Sequence, residues 1–315
     1  MTQNTETFQP LNGFEISGCA VRRWNIISFW GQEWTNPDPL EVRSSRIYFY
    51  YPDEPVEERW AYREIGQARG VRGCAAFTPE ERWVFIADDG AVYAVGGGVD
   101  GFEASITSRA HYFFSNVKCI QSGNAYAVGP RRKVYVRESA DGWHQLESGL
   151  FPQGDQTALD SSGFSDVDGF DNDDIYACGG SADLWHYDGT AWKRVDVPTN
   201  SNLYRVCCAP DGLVYILTSD RWVLAGRNAS WSVIDQDLTT ARFESIVVFG
   251  NRVILSTESG LFEIVDGDLR LASLPPKPPM RSNSFLAARD GVLVVAGSRD
   301  ACSFDGQSWS VIFKS

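Results

Sequence analysis

Residues 166–174, DVDGFDNDD, form a dense run of oxygen ligands in this 315-residue sequence. Carboxylates at alternating positions are ligands that Ca²⁺ prefers, so Asp166, Asp168 and Asp171 are candidate ligands of a divalent cation. An EF-hand loop would also need a glycine after three alternating ligands and a glutamate at position twelve, and this run has neither. We therefore expect an acidic turn between the first two strands of a repeat, with a divalent cation as the alternative and no other cofactor.

Other residues that could do chemistry lack the surroundings that such chemistry needs. The stretch GGGVDG at 96–101 matches the glycine pattern of dinucleotide-binding loops, but no amphipathic helix follows it. His111, His144 and His186 lie far apart in the sequence, and no G-x-S-x-G nucleophile motif occurs. The seven cysteines have no zinc-site spacing, and most fall in apolar runs, where cysteine is a small core residue. These patterns predict a glycine-rich turn and a chain without catalytic or metal-binding residues.

The charge of the sequence bears on the class of partner. There are 41 Asp and Glu residues against 28 Lys and Arg, which gives a net charge of −13. Such a surface repels nucleic acid and anionic lipid and attracts basic proteins. No apolar run approaches the roughly 20 residues that cross a bilayer, and the first residues do not form a secretory signal. We expect a cytoplasmic protein that binds neither nucleic acid nor membrane.

A repeated pattern of short strands must position any functional residues. Each unit has short runs rich in Val, Ile, Leu and Tyr with turns between them, as in DDIYACGGSADLWHYDGTAWKRV from Asp173. The predicted innermost strands begin near residues 15, 73, 116, 164, 203, 243 and 284. Seven units give about 45 residues each, the size of a four-stranded propeller blade. The pattern predicts an all-β protein: a single seven-bladed β-propeller of four-stranded antiparallel blades over residues 1–315, with residues 1–13 as an N-terminal extension able to close the ring.

Asp-Gly pairs separate two strand-like runs in WHYDGTAW at 185–192 and in SFDGQSW at 303–309. This dipeptide is a strong signal for a β-hairpin, because glycine accepts a positive φ and aspartate tolerates it. We expect Gly189 and Gly306 to have positive φ in hairpins between the third and fourth strands of a blade. Trp192 should then begin an outermost strand.

The run DDIYACGG…LWHYDGTAW resembles the repeats of bacterial β-propellers related to the BNR or Asp-box group, which includes sialidase-like propellers and photosystem assembly factors. The resemblance covers about residues 70–312 and implies the propeller fold. It also implies one functional alternative, a sialidase-like glycan-binding protein or glycoside-processing enzyme with its site at the mouth of the central channel. Sialidase-like catalysis would need an arginine cluster, a nucleophile and an acid assembled at that mouth.

Long insertions are predicted to gather on one rim of the propeller. In a four-stranded blade, the connections from second to third strand and from fourth strand to the next blade leave on the same rim, which we call the insertion rim. Four long insertions fall in such connections, at residues 31–45, 108–115, 148–162 and 275–283. Functional residues concentrate on loops that a rigid scaffold holds. The insertion rim is therefore the candidate binding surface.

We predict that the insertion rim binds a basic protein without catalysis. The predicted contacts are four aromatic and four acidic residues: Trp34, Tyr112, Phe113, Phe151, Glu33, Asp38, Glu41 and Asp155. Aromatic side chains are favoured interface anchors, and acidic ones steer basic partners. Alternatively, the aromatic rings fold back and seal the propeller. An acidic binder of this kind fits an immunity protein that neutralises a basic toxin domain, or an assembly factor.

Overall fold

The computed structural model describes residues 11–34, 43–66, 68–106, 113–139, 142–150, 163–234 and 236–314. In these ranges the chain forms seven four-stranded antiparallel sheets, each built from four consecutive strands. The helical element whose bounds lie within these ranges is one turn of 3-10 helix at Val56–Glu58. Within the same ranges no helix has the length and hydropathy needed to cross a membrane. The predicted seven-bladed β-propeller is confirmed.

Each blade takes its strands in chain order from the channel outward. Blades 1 and 2 contain β1 (Phe14–Arg23), β2 (Ile26–Glu33), β3 (Ser45–Tyr50), β4 (Trp60–Glu64), β5 (Arg72–Ala76), β6 (Arg82–Ile86), β7 (Val92–Gly96) and β8 (Val99–Glu103). Blades 3 and 4 contain β9 (Asn116–Cys119), β10 (Ala125–Gly129), β11 (Lys133–Ser139), β12 (Gly142–Gln145), β13 (Phe164–Asp171), β14 (Asp174–Gly179), β15 (Asp183–Tyr187) and β16 (Trp192–Val195). Blades 5 and 6 contain β17 (Leu203–Cys208), β18 (Val214–Thr218), β19 (Val223–Arg227), β20 (Ser230–Ile234), β21 (Phe243–Phe249), β22 (Arg252–Thr257), β23 (Leu261–Val265) and β24 (Asp268–Leu271). Blade 7 contains β25 (Phe285–Arg289), β26 (Val292–Ala296), β27 (Asp300–Phe304) and β28 (Trp309–Lys314).

The innermost strands β1, β5, β9, β13, β17, β21 and β25 surround a central channel, and each contacts the next around the ring. They begin within one residue of the predicted positions. The last blade meets the first without exchanging a strand. The Ile16 backbone N–H donates to the Ser298 carbonyl at 2.8 Å, and Leu11 and Phe14 are buried in the same apolar cluster as Phe313.

Face-to-face packing of neighbouring blades explains why many strands are apolar on both faces. The second strands β18 (VYILT) and β26 (VLVVA) are buried at every position. Between blades 1 and 7, the rings of Phe29 and Phe313 meet edge to face with their centroids 5.3 Å apart. Burying a side chain of this size stabilises the fold by roughly 1.5–3 kcal/mol. One blade alone would expose both faces, so the stability of each depends on its neighbours.

A buried ion network joins blades 2 and 3. Glu103 Oε1 accepts hydrogen bonds from Arg82 Nη1 and Arg137 Nη2, both at 2.9 Å. The three side chains are no more than 6% exposed. A buried charge is costly unless it is paired, so each member of this network depends on the other two.

The Asp-Gly turns form the predicted hairpins. Gly189 has φ +85° between β15 and β16, and Gly306 has φ +95° between β27 and β28. Asp188 Oδ1 accepts hydrogen bonds from the backbone N–H groups of Thr190 at 3.1 Å and Ala191 at 3.0 Å. Trp192 begins β16 and is 2% exposed. These aromatic segments are therefore structural turns, as predicted.

The seven cysteines are unpaired, and all except Cys119 are buried. Burial raises the pKa of Cys74 and Cys178 well above the usual thiol value. A thiol must lose its proton to act as a nucleophile or metal ligand, so these cysteines are core residues.

Candidate functional site

The propeller presents two rims with different compositions. The insertion rim is made by the connections predicted above, and the connections within the hairpins of strands 1–2 and 3–4 form the opposite rim, which we call the hairpin rim. Strands of about five residues separate the two rims by roughly 15–20 Å. A partner of moderate size can therefore cover one rim without contacting the other.

Trp34 lies on the insertion rim at the end of β2, and its side chain is 46% exposed. The guanidinium of Arg299 lies 4.2 Å from the centre of the Trp34 ring, and Arg299 Nη2 also pairs with Glu15 Oε1 at 3.0 Å. The Trp34 backbone N–H donates to the Gly13 carbonyl at 3.0 Å. This ring is therefore held in place from one side and open on the other. Glu33, the preceding residue, is half-buried.

Phe113 and Phe114 separate the two alternatives for the aromatic residues of the insertion rim. Phe113 is 62% exposed and borders a shallow hollow beside Pro130 and Tyr135. Phe114 is 4% exposed, and its ring centroid lies 5.8 Å from that of Tyr135. Phe114 thus seals the blade, while Phe113 is available to a partner.

Five of the predicted contact residues lie outside the described residues: Asp38, Glu41, Tyr112, Phe151 and Asp155. Their participation stays a prediction. Trp34 follows β2 in blade 1 and Phe113 precedes β9 in blade 3, so blade 2 lies between the two described aromatic residues.

Two exposed apolar residues of the insertion rim were not predicted. Trp222, between β18 and β19, is 41% exposed, and Leu238, between β20 and β21, is 49% exposed. Trp222 occurs in the short connection 219–222, which a search for long insertions passes over, and Leu238 occurs in the connection 235–242, which was not among the predicted insertions. The sequence signal that could have identified such a residue is a large apolar side chain within a polar turn, as in SDRW at 219–222.

Acidic residues concentrate on the hairpin rim. Its described connections contain one basic residue, Arg59, and twelve acidic residues: Asp53, Glu54, Glu57, Glu58, Glu80, Glu81, Asp173, Asp188, Asp211, Asp266, Asp290 and Asp305. The described connections of the insertion rim contain nine Arg and Lys residues against seven Asp and Glu residues. Much of the net charge of −13 is therefore concentrated on one end of the molecule.

The central channel contains a cavity of about 380 Å³, which all seven innermost strands line. Arg72 at the start of β5 and Arg205 in β17 contribute guanidinium groups to it, and Asp166 and Lys118 also line it. Arg72, Arg205 and Asp166 lie in the first halves of their strands, which places them towards the insertion rim, whereas Lys118 is the third of the four residues of β9. Among the described lining residues there is no glutamate, tyrosine or histidine.

The aspartates of the acidic run 166–174 bind protein groups. Lys118 Nζ lies 3.0 Å from Asp168 Oδ2, and that oxygen also accepts a hydrogen bond from the Cys208 backbone N–H at 3.0 Å. Asp166 Oδ2 accepts from the Val206 backbone N–H at 2.9 Å. Burial lowers the pKa of Lys118, but the carboxylates of Asp168 and Asp166 outweigh this effect, so its pKa is raised and the amine is charged. The aspartates thus join β13 to β17, with the lysine from β9.

The expected acidic turn is shorter than predicted. Asp166 and Asp168 belong to β13, and only Asn172 and Asp173 connect β13 to β14. Asp171 is exposed at the far end of β13, away from the insertion rim. Within the described part of the chain, no group of three or more His, Cys, Asp or Glu side chains is arranged to hold a metal ion. A cation at Asp166, Asp168 and Asp171 stays a prediction.

Comparison with solved structures places the fold among known propellers. No family model matches the chain. The WD40 β-propeller domain of Doa1 superposes with a TM-score of 0.64 and 10% identity over 90% of each chain. A catalytically inactive virginiamycin B lyase from Staphylococcus aureus, with quinupristin, gives a TM-score of 0.59 and 8% identity over 76% of this chain and 87% of that chain. Identities this low show the fold alone.

A curated relative shows the family. Immune protein Tsi7 of Pseudomonas aeruginosa strain PAO1 is 34% identical over 249 residues, which cover 77% of this chain and 79% of Tsi7. The chain belongs to the Tsi7 family. Tsi7 itself is an immune protein, which agrees with the prediction of a propeller of the immunity type.

Proposed function

We propose that this chain is a non-catalytic immunity protein that neutralises a basic toxin domain by binding it. The observation that carries the proposal is its membership of the Tsi7 family. The seven unpaired cysteines support a cytoplasmic location, because free thiols persist in reducing compartments. The relationship to the Asp-box group, suggested by the Asp-Gly hairpins, stays a prediction.

The partner, in this proposal, docks on the insertion rim. Trp34 and Phe113 support it, since both rings are exposed there, and Trp222 and Leu238 extend the apolar surface. Tyr112 and Phe151 would add further anchors. Glu33, Asp38, Glu41 and Asp155 would raise the association rate with a basic partner. Burial of a few aromatic anchors is enough to dominate the binding free energy.

The charge distribution favours a second docking surface for a basic partner. Electrostatic attraction is screened over about 8 Å at physiological salt, whereas the two rims are roughly 15–20 Å apart. The twelve carboxylates of the hairpin rim therefore attract mainly molecules that approach that rim. The exposed Trp24, between β1 and β2, would be an apolar anchor on the same surface.

Part of the site that the sialidase-like alternative requires, the arginines and the acid, is present at the channel mouth. Arg72, Arg205 and Asp166 line one cavity, as an arginine cluster and an acid would. Both carboxylate oxygens of Asp166 are already bound, one by Asn116 Nδ2 at 2.6 Å and one by the Val206 backbone N–H. This occupancy supports a binding function over catalysis.

Capture of the partner tests the proposed function. The tagged protein should retain, from extracts of its native organism at low salt, a protein that stops growth when expressed alone in a heterologous host. Co-expression of the present chain should restore growth. A captured protein without toxicity would contradict the immunity proposal. Retention of no protein, together with thermal stabilisation by a sialylated or other glycan, would replace it with the glycan-binding alternative.

A further inference from the structure

Three arginines line the cavity of the central channel: Arg72 and Arg205, which form no ion pair within the described residues, and Arg289 at the end of β25, whose guanidinium lies 3.6 Å from the centre of the Phe77 ring. Arg72 from blade 2 and Arg205 from blade 5 line the same cavity, and blades 2 and 5 lie nearly opposite each other in the ring. Elsewhere in the described chain, buried or half-buried arginines such as Arg82, Arg132 and Arg137 pair with carboxylates. Within the described residues, neither Arg72 nor Arg205 forms an ion pair.

The hydrogen bonds of the two guanidinium groups go to backbone carbonyls. Arg72 Nε donates to Ser115 O at 3.2 Å, and its Nη1 donates to Gly70 O at 3.0 Å and to Val71 O at 3.1 Å. Arg205 Nη1 donates to Tyr204 O at 2.8 Å. A guanidinium has five N–H donors, so each group retains donors for a further acceptor. Nη2 of Arg72, and Nε and Nη2 of Arg205, have no acceptor in the described chain.

The remaining charges of the cavity do not neutralise this pair. Asp166 and Asp168 are engaged by Lys118, Asn116 and the backbone of β17. Burial lowers the pKa of Arg72, and although Asp88 opposes this, the charge of Arg205 lowers it further. The guanidinium of Arg205 therefore makes the charged state of Arg72 less favourable. The channel mouth is a positive site in a protein whose net charge is −13.

Hydroxyl groups complete the lining. Ser17, Ser245 and Ser284 border the same cavity. Ser245 Oγ accepts a hydrogen bond from the Leu286 backbone N–H at 3.3 Å, and its own hydroxyl hydrogen is available to an acceptor. The volume of about 380 Å³ is at the lower end of the range of small-ligand pockets.

We propose that the insertion-rim mouth of the central channel binds an oxyanion, a carboxylate or a phosphate, between Arg72 and Arg205. Arginine recognises both groups through paired N–H···O bonds. The anion is either a small molecule or an acidic side chain that a bound protein inserts into the channel. This proposal does not rest on the immunity function, because the cavity exists in the protein alone.

The test measures binding of defined anions to the whole protein. Inorganic phosphate and N-acetyl-aspartate amide represent the free anion and the acidic side chain, and sodium chloride at equal ionic strength is the reference. Isothermal titration and thermal unfolding should show binding of at least one probe to the wild type. In Arg72→Gln and in Arg205→Gln that affinity should fall about tenfold or more, since a charge-assisted hydrogen bond is lost in each. Binding of phosphate but not of the aspartate derivative indicates that the ligand of the channel is a free anion. Binding of the aspartate derivative indicates that the ligand is an acidic side chain.

Arg69→Gln is the matched control, because Arg69 is an exposed arginine of the insertion rim that does not line the cavity. It should bind the probe as the wild type does. Arg205→Gln carries the test if Arg72→Gln does not fold, since Arg205 donates only to the carbonyl of the preceding residue. Equal stabilisation of all four proteins, or none beyond that of chloride, would overturn the proposal.

Discussion

Lys118 on blade 3 and Asp168 on blade 4 form an ion pair with 3.0 Å between Nζ and Oδ2. The same carboxylate oxygen accepts the Cys208 backbone N–H of blade 5. One aspartate therefore connects three consecutive blades. Asp168→Asn should lower the free energy of unfolding by roughly 2 kcal/mol or more, because it leaves the lysine with a weaker partner. Urea denaturation followed by tryptophan fluorescence measures this. Asp268→Asn, at an exposed carboxylate, should change it by less than about 0.5 kcal/mol.

Acid should weaken the contact between blades 1 and 2. The hydrogen bond from Arg23 is the main cause that lowers the pKa of Glu81 to about 2, with Arg22 adding to it. A carboxylate with a lowered folded-state pKa contributes stability above the unfolded-state value of about 4.3, and this is lost as the pH falls towards about 2. The pair is partly solvated, so the contribution should be about 1 kcal/mol or less.

The measurement compares wild type with Glu81→Gln in denaturant titrations between pH 2 and pH 7. The stability difference between the two should be largest above pH 5 and shrink below pH 4. A difference independent of pH would show that the Glu81 charge does not contribute to stability.

The Asp-Gly turn between β15 and β16 should tolerate no side chain at its glycine. Gly189 has φ +85°, and a Cβ there would lie 2.7 Å from Asp173 Cβ. Gly189→Val should destabilise the protein by roughly 1 kcal/mol or more without changing partner affinity. Gly101→Ala is the control, because that glycine in β8 has open space around it and no positive φ. Unchanged stability with lost binding would instead make this turn a binding loop.

The aromatic anchors of the insertion rim should determine how long the partner stays bound. Trp34→Ala and Phe113→Ala should each fold normally and raise the dissociation rate, and a loss of about 2 kcal/mol corresponds to roughly thirtyfold. Phe151→Ala should behave in the same way. Surface plasmon resonance with the captured partner gives the rates. Tyr62→Ala, at an exposed aromatic residue of the outer strand β4, is the control. Wild-type kinetics in all the rim variants would reject this surface.

Charge variants should identify the docking rim independently. One variant neutralises four carboxylates of the insertion rim, at Asp89, Asp196, Asp237 and Glu258. Its matched counterpart neutralises four carboxylates of the hairpin rim, at Asp53, Glu54, Glu57 and Glu58. At physiological salt only charges within about 8 Å of the interface act strongly, so the first should slow association and the second should change it by less than about twofold. The reverse result would move the partner to the hairpin rim.

Local sequence signals determined the blades and their turns. Asp188-Gly189 and Asp305-Gly306 specify hairpins through backbone preferences of adjacent residues, which need no information from the rest of the chain. The same rule accounts for part of the acidic rim, since five of its aspartates precede a glycine in such turns. The concentration of acidic residues on the hairpin rim was therefore predictable from the strand order, whereas the net charge does not show where the acidic residues lie.

The contacts between residues that are distant in the sequence depend on the tertiary arrangement of the blades in the closed ring. Arg72 and Arg205 are separated by more than a hundred residues, and they share a cavity because blades 2 and 5 face each other across the channel. Lys118 meets Asp168 because the adjacent innermost strands β9 and β13 pack against each other. Phe113 is exposed and Phe114 is buried, because only one of two adjacent side chains can point inward where the chain enters β9. Which of the two points inward depends on the register of β9 against β10 and on packing against Tyr135. Local propensity acts over a few residues, whereas these contacts depend on the rotation between blades, which arises from packing of the whole ring.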